Sequence, residues 1–461
     1  MTTPTSRGPA VPALAVGFPT SEATHGPGGG RPAWRPRVLG ALTHVAVTLL
    51  IALVWLVVPV DGPFQNHVAE LLGVESIWLM SSSVIVLTRS ARIDRSFGGV
   101  DGTLHWHRLA GTVGMGLGMI HPALFVEGGE GRSSVLAHLL GPLTVLAVVL
   151  VVWAFMTPTS RVASWPGPIG WLARRGYDSW RAVHGVLAVF LVVAMAHGMA
   201  DGASVQTNPV LLALYAAVCG VGLFALVERM IVARLKARDS GGTVVAVERF
   251  GESTAVLTIA PERPLRHEAG QFIELGVPVS GERPHPFTVI SAPGSPHVQV
   301  AVRALGVGTT RIVTGATAGD RVSLSRARGL FRHDGAGRRQ VWVAGGIGIA
   351  PFISWVRSQG GHYPGHDVDL IWSNRGFDTE PFVHELVAAA QHFTWLTVHL
   401  HDTARSSRLT AADVVAAGGG KIEAITVLAC GSPAMISGLG SGLIAAGLPR
   451  ERLHTEAFSY R

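Results

Sequence analysis

Four histidines lie at matched spacings inside two apolar segments of the chain. His107 and His121 are fourteen residues apart, and His184 and His197 are thirteen apart. Because a polar side chain is costly inside a bilayer, an intramembrane histidine needs a partner or a function. Two imidazoles on opposite sides of one iron would make a six-coordinate b-type haem, which suits electron transfer because neither axial position is open. Since fourteen helical residues span roughly 21 Å, two such haems would bridge most of a membrane.

The two spacings differ in how well they suit a straight helix. A thirteen-residue spacing rotates His197 by about 220° from His184 on an undistorted α-helix. Helix distortion, or different orientations of the two haems, would have to absorb this rotation.

Three other histidines could compete as ligands. His105 lies two residues from His107 and so points to another helix face. His44 and His138 have no partner at a matching spacing. We interpret these three as structural histidines.

Glycines occupy the histidine-bearing face of the first segment, at positions 111, 114 and 118. These offsets follow one side of an α-helix. They would leave room for a porphyrin to approach the backbone, or for a second helix to pack closely. The sequence leaves both interpretations open.

The composition predicts a membrane half. The chain has 461 residues, of which 48% are hydrophobic and 15% charged, so it is too long for one domain and too apolar for an ordinary soluble protein. Six stretches are near the roughly 20 residues that span about 30 Å of hydrocarbon. The stretch that contains Glu75 and three serines fits least well. The six stretches are 38–60, 71–88, 109–126, 133–157, 182–200 and 202–227.

The basic residues predict the orientation of these spans. Arginine and lysine cluster before the first span, after the second, between the fourth and fifth, and after the sixth, whereas the opposite loops are mainly acidic. Because cytoplasmic loops collect basic residues, we expect a multi-pass plasma-membrane protein with its N-terminus and its C-terminal half in the cytoplasm. The net charge of +7 then reflects membrane orientation and not nucleic-acid binding.

After Arg238 the pattern changes to soluble domains. Alternating strands predict an antiparallel β-barrel, and strands that alternate with helices from about residue 338 predict a doubly wound parallel sheet. The expected strands are 242–249, 254–260, 271–277 and 297–304 in the barrel, and 340–344, 368–372, 394–399 and 424–428 in the sheet. The chain is thus predicted to be a multidomain membrane protein with a disordered tail (1–37), a six-helix transmembrane haem domain (38–230), a β-barrel domain (240–336) and an α/β domain (337–461), and the motifs below assign FAD to the barrel and NADPH to the α/β domain.

Two motifs in the predicted barrel suit a flavin. The first offers a flat aromatic ring and hydroxyl donors near a strand end: His285, Pro286, Phe287, Thr288 and Ser291. The second could present backbone N–H groups to a pyrophosphate, or form a simple turn: Gly306, Gly308 and Thr309.

The predicted sheet carries a nucleotide motif where a dinucleotide phosphate should lie, between a strand and a helix: Gly345, Gly346, Gly348 and Pro351. At the end of the second strand, the residue that follows Asn374 is Arg375 and not a ribose-binding carboxylate. This predicts a 2′-phosphate and hence NADPH. Cys430 and Gly431 end a later strand, at the edge where ligands collect, although Ser432 could instead cap a helix.

Taken together, these residues resemble the NADPH oxidase and ferric reductase family over about 38–461. In that family a six-helix haem domain is fused to a ferredoxin-NADP reductase-like module, and the third and fifth helices supply histidine ligands at the same two spacings. The resemblance implies that His107 and His184 hold an inner haem, and that His121 and His197 hold an outer haem.

The resemblance also implies roles in the soluble half. Phe287 would lie against the isoalloxazine ring, Thr288 would bond near its reactive nitrogen, and His285 would face phosphate. Phe458 or Tyr460 would cover the flavin. The loop from Gly345 to Pro351 would bind NADPH, and Cys430 would lie beside the nicotinamide.

The function implied is electron transfer from cytoplasmic NADPH through FAD and two b-type haems to an acceptor at the outer face. Phe125 stands where some oxidases carry another histidine, and the loop 201–208 is short, so the acceptor can be a ferric chelate or oxygen, which would give superoxide. An alternative is a haem-containing electron-transfer subunit that serves a partner protein or quinone. A transporter with a degenerate reductase domain is disfavoured because both nucleotide motifs look complete.

Overall fold

A computed structural model describes residues 35–88, 90–125, 143, 166–167, 184–232, 241–331, 339–359 and 364–457. The chain forms two compact units. The helical unit contains Arg31–Gly242 and Ser323–Leu330, and the two-sheet unit contains Thr243–Val322 and Phe331–Ser459.

The helical unit packs around buried apolar side chains that include Trp55, Leu211 and Tyr215. Its helices in the described residues are α1 (Arg35–Val57), α2 (Phe64–Ile85), α3 (Ala91–Ser96), α4 (Val100–Ile120), α5 (Leu187–Asp201), α6 (Ala203–Thr207) and α7 (Pro209–Val227). A 3₁₀ turn, His121–Leu124, follows α4, and a π turn, Glu228–Val232, follows α7.

Within the described residues, three helices are long and apolar enough to cross a membrane: Leu39–Val57, Phe64–Ile85 and Pro209–Ile231. Helix α5 is apolar but has only 15 residues. The fourth predicted span, 133–157, lies outside the described residues apart from residue 143. The six-helix bundle therefore stays a prediction.

The third predicted span, 109–126, differs from the helix that the structure contains. Helix α4 begins at Val100 and ends at Ile120. The expected start was too late because a stretch without charged residues excludes Arg108, which the helix includes. The expected end was too late because Pro122 has no N–H to bond the carbonyl four residues back.

The glycines of α4 lie against α2. A Cβ atom at Gly114 would come 3.0 Å from the carbonyl oxygen of Ser76, and one at Gly118 would come 2.8 Å from the hydroxyl of Ser76. Of the two interpretations of these glycines, the structure favours close packing of two helices over the approach of a porphyrin.

A break in the helix separates His184 from α5. Residues Gly185 and Val186 form a turn, in which the N–H of Ala188 bonds the carbonyl of Gly185 at 3.2 Å and the N–H of Val189 bonds that of Val186 at 2.9 Å. Such bonds between residues three apart wind the chain more tightly than an α-helix. The turn is therefore a distortion of the kind that the thirteen-residue spacing leaves open, beside a difference in haem orientation.

The first sheet of the two-sheet unit has six strands in the order β4-β3-β6-β1-β2-β5. Strands β2 and β5 pair antiparallel, as do β3 and β4, and an isolated bridge between Val289 and Val300 links the β4 end to β5. The antiparallel barrel is thus confirmed. The strands are β1 (Gly241–Phe250), β2 (Thr254–Pro261), β3 (Phe272–Gly276), β4 (His285–Thr288), β5 (Val298–Arg303) and β6 (Arg321–Leu324), and helix α8 (Val307–Gly315) follows β5.

The second sheet is parallel, as predicted, in the order β11-β10-β7-β8-β9. Its central strand carries Trp342, which is fully buried, as expected for a sheet covered on both faces. Because the strand order reverses between β7 and β10, their carboxyl ends border the crevice where ligands bind in such sheets. The elements are β7 (Arg339–Gly345), α9 (Ala350–Ser358), β8 (Val368–Asn374), α10 (Val383–His392), β9 (Leu396–Asp402), α11 (Ala411–Ala417), β10 (Ile425–Gly431), α12 (Pro433–Ala445) and β11 (Leu453–Ala457).

Candidate functional site

The structure brings together both histidine pairs that the sequence predicts. The ring centroids of His107 and His184 are 6.0 Å apart, and those of His121 and His197 are 6.3 Å apart. A metal lies about 2 Å from an imidazole nitrogen, and the ring centre lies roughly 1 Å behind that nitrogen, so two axial imidazoles on one metal have centres about 6 Å apart. The donor set and its spacing therefore fit one bis-histidine iron at each pair.

Hydrogen bonds to α2 orient His107 of α4 and His121 of the 3₁₀ turn that follows α4. Nδ1 of His107 lies 2.9 Å from the carbonyl oxygen of Ser83, and Nδ1 of His121 lies 3.0 Å from that of Ala69. A carbonyl can only accept, so Nδ1 carries the proton and Nε2 keeps its lone pair for a metal. The two acceptors are fourteen residues apart, as are the two histidines, because α2 and α4 run side by side in opposite directions.

In the pair formed by His121 and His197, His197 contacts an acidic side chain. Nδ1 of His197 lies 2.6 Å from Oδ2 of Asp201, one helical turn later in α5. The two side chains are 23% and 20% exposed. Sequence analysis missed Asp201, although a carboxylate four residues after a candidate ligand lies on the same helix face.

The competing histidines lie elsewhere. Nδ1 of His44 bonds the carbonyl of Gly40 at 2.8 Å, and its ring packs against Trp78, Phe97 and Trp106. This supports its interpretation as a structural histidine. His105 is exposed on α4, and position 138 lies outside the described residues.

The flavin motif forms strand β4. The Thr288 side chain is 4% exposed, and its hydroxyl has no hydrogen-bond partner within the described part of the chain. Because buried hydroxyls are normally paired, this orphaned group fits a donor to a bound ligand. The rings of His285 and Phe287 lie on the same strand face with centroids 6.3 Å apart. The Ser291 hydroxyl instead accepts the Gln299 N–H at 3.2 Å.

The second flavin motif begins helix α8. The Thr309 hydroxyl caps the helix, since it accepts the N–H groups of Leu305 and Gly306, each at 3.0 Å. Its role is therefore to shape the loop. At Gly308 the space for a Cβ atom is taken by the Glu282 carboxylate.

Glu282 also pairs with the flavin motif. Its Oε2 lies 3.0 Å from Nε2 of His285. A carboxylate thus sits between the histidine and the N-terminus of α8, where helix N–H groups and the helix dipole favour an anion. Sequence analysis missed Glu282.

The nucleotide motif lies at the carboxyl end of β7. A 3₁₀ turn, Gly346–Ile349, leads into α9, which has Pro351 in its first turn. Gly346 has φ of +55°, a left-handed conformation that favours glycine. A Cβ atom at Gly348 would clash with the carbonyl of Cys430. The motif and the end of β10 are therefore in backbone contact.

An ion pair links β5 of the barrel to the segment that follows β8. Nη2 of Arg303 lies 2.6 Å from Oε1 of Glu380, and its Nη1 lies 3.2 Å from Oδ1 of Asn374. A Cβ atom at Gly346 would come 3.2 Å from the same guanidinium. Arg375 follows Asn374 directly and is exposed.

Cys430 is fully buried. Burial, with a smaller contribution from Glu456, raises the pKa of its thiol well above the ordinary range, so the thiol is neutral at physiological pH. The next residue, Gly431, lies against Gly345, and Ser432 caps α12 by accepting the Met435 N–H at 3.4 Å.

Comparison with known proteins finds similarity to reductase components. No family model matches the chain. The chain is 32% identical over 146 residues to the reductase subunit of an aromatic O-demethylase from Amycolatopsis sp. This match covers 30% of this chain and 44% of the relative. The chain is also 26% identical over 225 residues to the ferredoxin reductase component of 3-ketosteroid-9-alpha-monooxygenase from Rhodococcus rhodochrous. That match covers 46% of this chain and 63% of the relative. The chain thus spans about half the length of these curated relatives.

The two-sheet unit is similar to the ferredoxin-reductase-type components of these systems, and we call it the reductase module. A solved Amycolatopsis cytochrome P450 reductase is similar at a TM-score of 0.43 and 24% identity, and the match covers 48% of this chain and 69% of that one. In the reductase module the flavin motif, the nucleotide loop and Cys430 all belong to described residues, whereas positions 458 and 460, the candidate flavin covers, lie outside them.

Proposed function

We propose that this chain is a plasma-membrane flavohaem oxidoreductase that transfers electrons from cytoplasmic NADPH to a ferric chelate or oxygen at the outer face. The observation that carries the proposal is the pairing of His107 with His184 and of His121 with His197, at 6.0 and 6.3 Å, in a chain that also holds a reductase module. When bound, FAD would accept hydride from NADPH, and two b-type haems would carry single electrons across the bilayer.

In the membrane half, the protein would hold and orient the haem irons. His107 and His121 keep Nε2 available because Nδ1 donates to the carbonyls of Ser83 and Ala69. Six spans, with the N-terminus and the reductase module in the cytoplasm, belong to this proposal and rest on the distribution of basic residues.

In the reductase module, Thr288 would donate its unpaired hydroxyl to the flavin. The loop around Gly346 would present backbone N–H groups to the nucleotide pyrophosphate. Arg375 would bind the 2′-phosphate of NADPH, and the neutral Cys430 thiol would border the nicotinamide without adding charge.

A second candidate is an electron-transfer component that serves a partner protein or quinone. The relatives favour it, because their names describe reductase components of a demethylase and a monooxygenase. Turnover of the purified protein with NADPH and a soluble ferric chelate distinguishes the two, since a dedicated component would be slow without its partner.

The haem content of purified variants tests the proposed function. We expect His107→Leu and His197→Leu each to lose one of two b-type haems, measured by absorbance per polypeptide. His105→Leu is the matched control, because His105 lies two residues from His107 on an exposed face of α4, and it should keep both haems. Unchanged haem content in both ligand variants would contradict the proposal.

A further inference from the structure

We infer that Asp201 tunes the outer haem site, lowering the reduction potential of the iron that His197 would bind. This inference rests on the proposed function and deepens it, because it concerns which acceptors the outer site can reduce.

The contact is short and within one helix. Nδ1 of His197 lies 2.6 Å from Oδ2 of Asp201, slightly shorter than the about 2.7–2.9 Å that is typical of charge-assisted N–H···O bonds. Asp201 is the last residue of α5, so the carboxylate lies at the end of this helix while the imidazole lies one turn further in.

His107 and His121 have a different kind of acceptor at Nδ1. His107 and His121 donate to the neutral carbonyls of Ser83 and Ala69, at 2.9 and 3.0 Å. Carbonyl and carboxylate acceptors both fix the tautomer, but the carboxylate draws the Nδ1 proton more strongly and makes Nε2 more basic. A more basic ligand stabilises ferric over ferrous iron.

The consequence concerns the acceptor. An iron held at the outer site would supply one electron, passing from ferrous to ferric, to reduce oxygen to superoxide or a ferric chelate to its ferrous form, with no bond or proton transfer required. A lower potential at this iron makes that step more favourable for acceptors that are hard to reduce. Asp201 thus adapts the site to low-potential one-electron acceptors.

Glu70 provides a matched control. Its Oε2 accepts the N–H of Ser204 at 3.0 Å, three residues after Asp201, and it contacts no ligand histidine in the described contacts. Glu70→Gln therefore removes one negative charge from a side chain that contacts a residue near Asp201, without changing the bond to His197.

Spectroelectrochemical titration of the detergent-purified holoprotein tests the inference. We expect Asp201→Asn to shift one of the two haem midpoints positive, with at least a tenfold change in the reduction equilibrium constant, about 59 mV for a one-electron couple. The midpoint potential of the other haem should be unchanged in Asp201→Asn. In Glu70→Gln both midpoint potentials should shift by less than this amount. Two retained haems with unshifted midpoints, or equal shifts in Asp201→Asn and Glu70→Gln, would overturn the inference while leaving the proposed function intact.

Absence of haem from the unmodified protein would instead refute the proposed function. If Asp201→Asn loses the haem, the Asp201→Glu variant tests tuning by charge instead, because it keeps the carboxylate. If Asp201→Glu binds two haems with the midpoint potentials of the unmodified protein, this result supports tuning by charge. A positive shift in Asp201→Glu, or loss of haem from both variants, contradicts it.

Discussion

Gly114 of α4 lies so close to Ser76 of α2 that a Cβ atom would come 3.0 Å from the Ser76 carbonyl oxygen. This backbone approach lets His107 and His121 reach the α2 carbonyls that orient them. Helix packing and ligand orientation therefore depend on the same glycine face.

Gly114→Ala should weaken this packing. Because the added methyl meets backbone, we expect a loss of about 1–3 kcal/mol in stability and a lower haem content after heating. Gly116→Ala is the control, since nothing lies within 4 Å of a Cβ there, and it should be neutral or slightly stabilising. Thermal unfolding in detergent measures both, and equal effects of the two substitutions would contradict the packing account.

Glu282→Gln should tighten FAD binding. The carboxylate lies 3.0 Å from His285 Nε2 and occupies the helix N-terminus where the pyrophosphate would bind, so like charges would compete. Removing one charge should improve the Kd several-fold, equivalent to about 1 kcal/mol, measured by flavin fluorescence.

Glu262→Gln serves as its control, because Glu262 pairs with Arg321 at 2.9 Å on an exposed surface. Weaker FAD binding in Glu282→Gln would show that the carboxylate belongs to the flavin site and does not compete with it.

Arg375→Gln should reduce the preference for NADPH. Loss of a charge-assisted bond worth about 1.5–3 kcal/mol should lower kcat/KM for NADPH by roughly tenfold or more and leave NADH little changed. Steady-state kinetics with ferricyanide measure this. Arg405→Gln, at a side chain 84% exposed, should change neither value. A parallel loss with both nucleotides in Arg375→Gln would refute 2′-phosphate recognition.

Cys430 should make stability depend on alkaline pH. Burial raises the thiol pKa in the folded protein above its value of about 8.5 in an unfolded chain. The neutral thiol therefore stabilises the fold fully below that pH, and the contribution is lost as the pH rises towards the folded pKa.

The unfolding free energy should accordingly exceed that of Cys430→Ala at neutral pH, and the difference should narrow between about pH 8 and pH 10. Urea unfolding at a series of pH values measures the difference. A constant difference across this range would contradict a buried, neutral thiol.

Much of this architecture could be predicted from periodicity. The histidine spacing on α4 follows a helix face, and the alternating strands indicated both sheets. The nucleotide loop was recognisable because Gly345 ends an apolar strand and Pro351 lies in the first turn of a helix.

The remaining features depend on tertiary structure. The turn at Gly185 cannot be inferred from the spacing of His184 and His197, which is compatible with either a helix distortion or a difference in haem orientation. The glycines of α4 suit a helix or a porphyrin equally until α2 is seen beside them. Glu282 reaches the start of α8 across the turn before β4, and no local pattern reports that contact.

The most direct test of the proposed electron path is an anaerobic absorbance spectrum of the purified, FAD-loaded protein before and after NADPH, followed by air or a ferric chelate. We expect reduced b-type haem bands to appear with NADPH and to decay when the oxidant is added. Bleaching of the flavin while the haem bands stay oxidised, or the absence of haem bands, would contradict transfer from the reductase module to the histidine pairs.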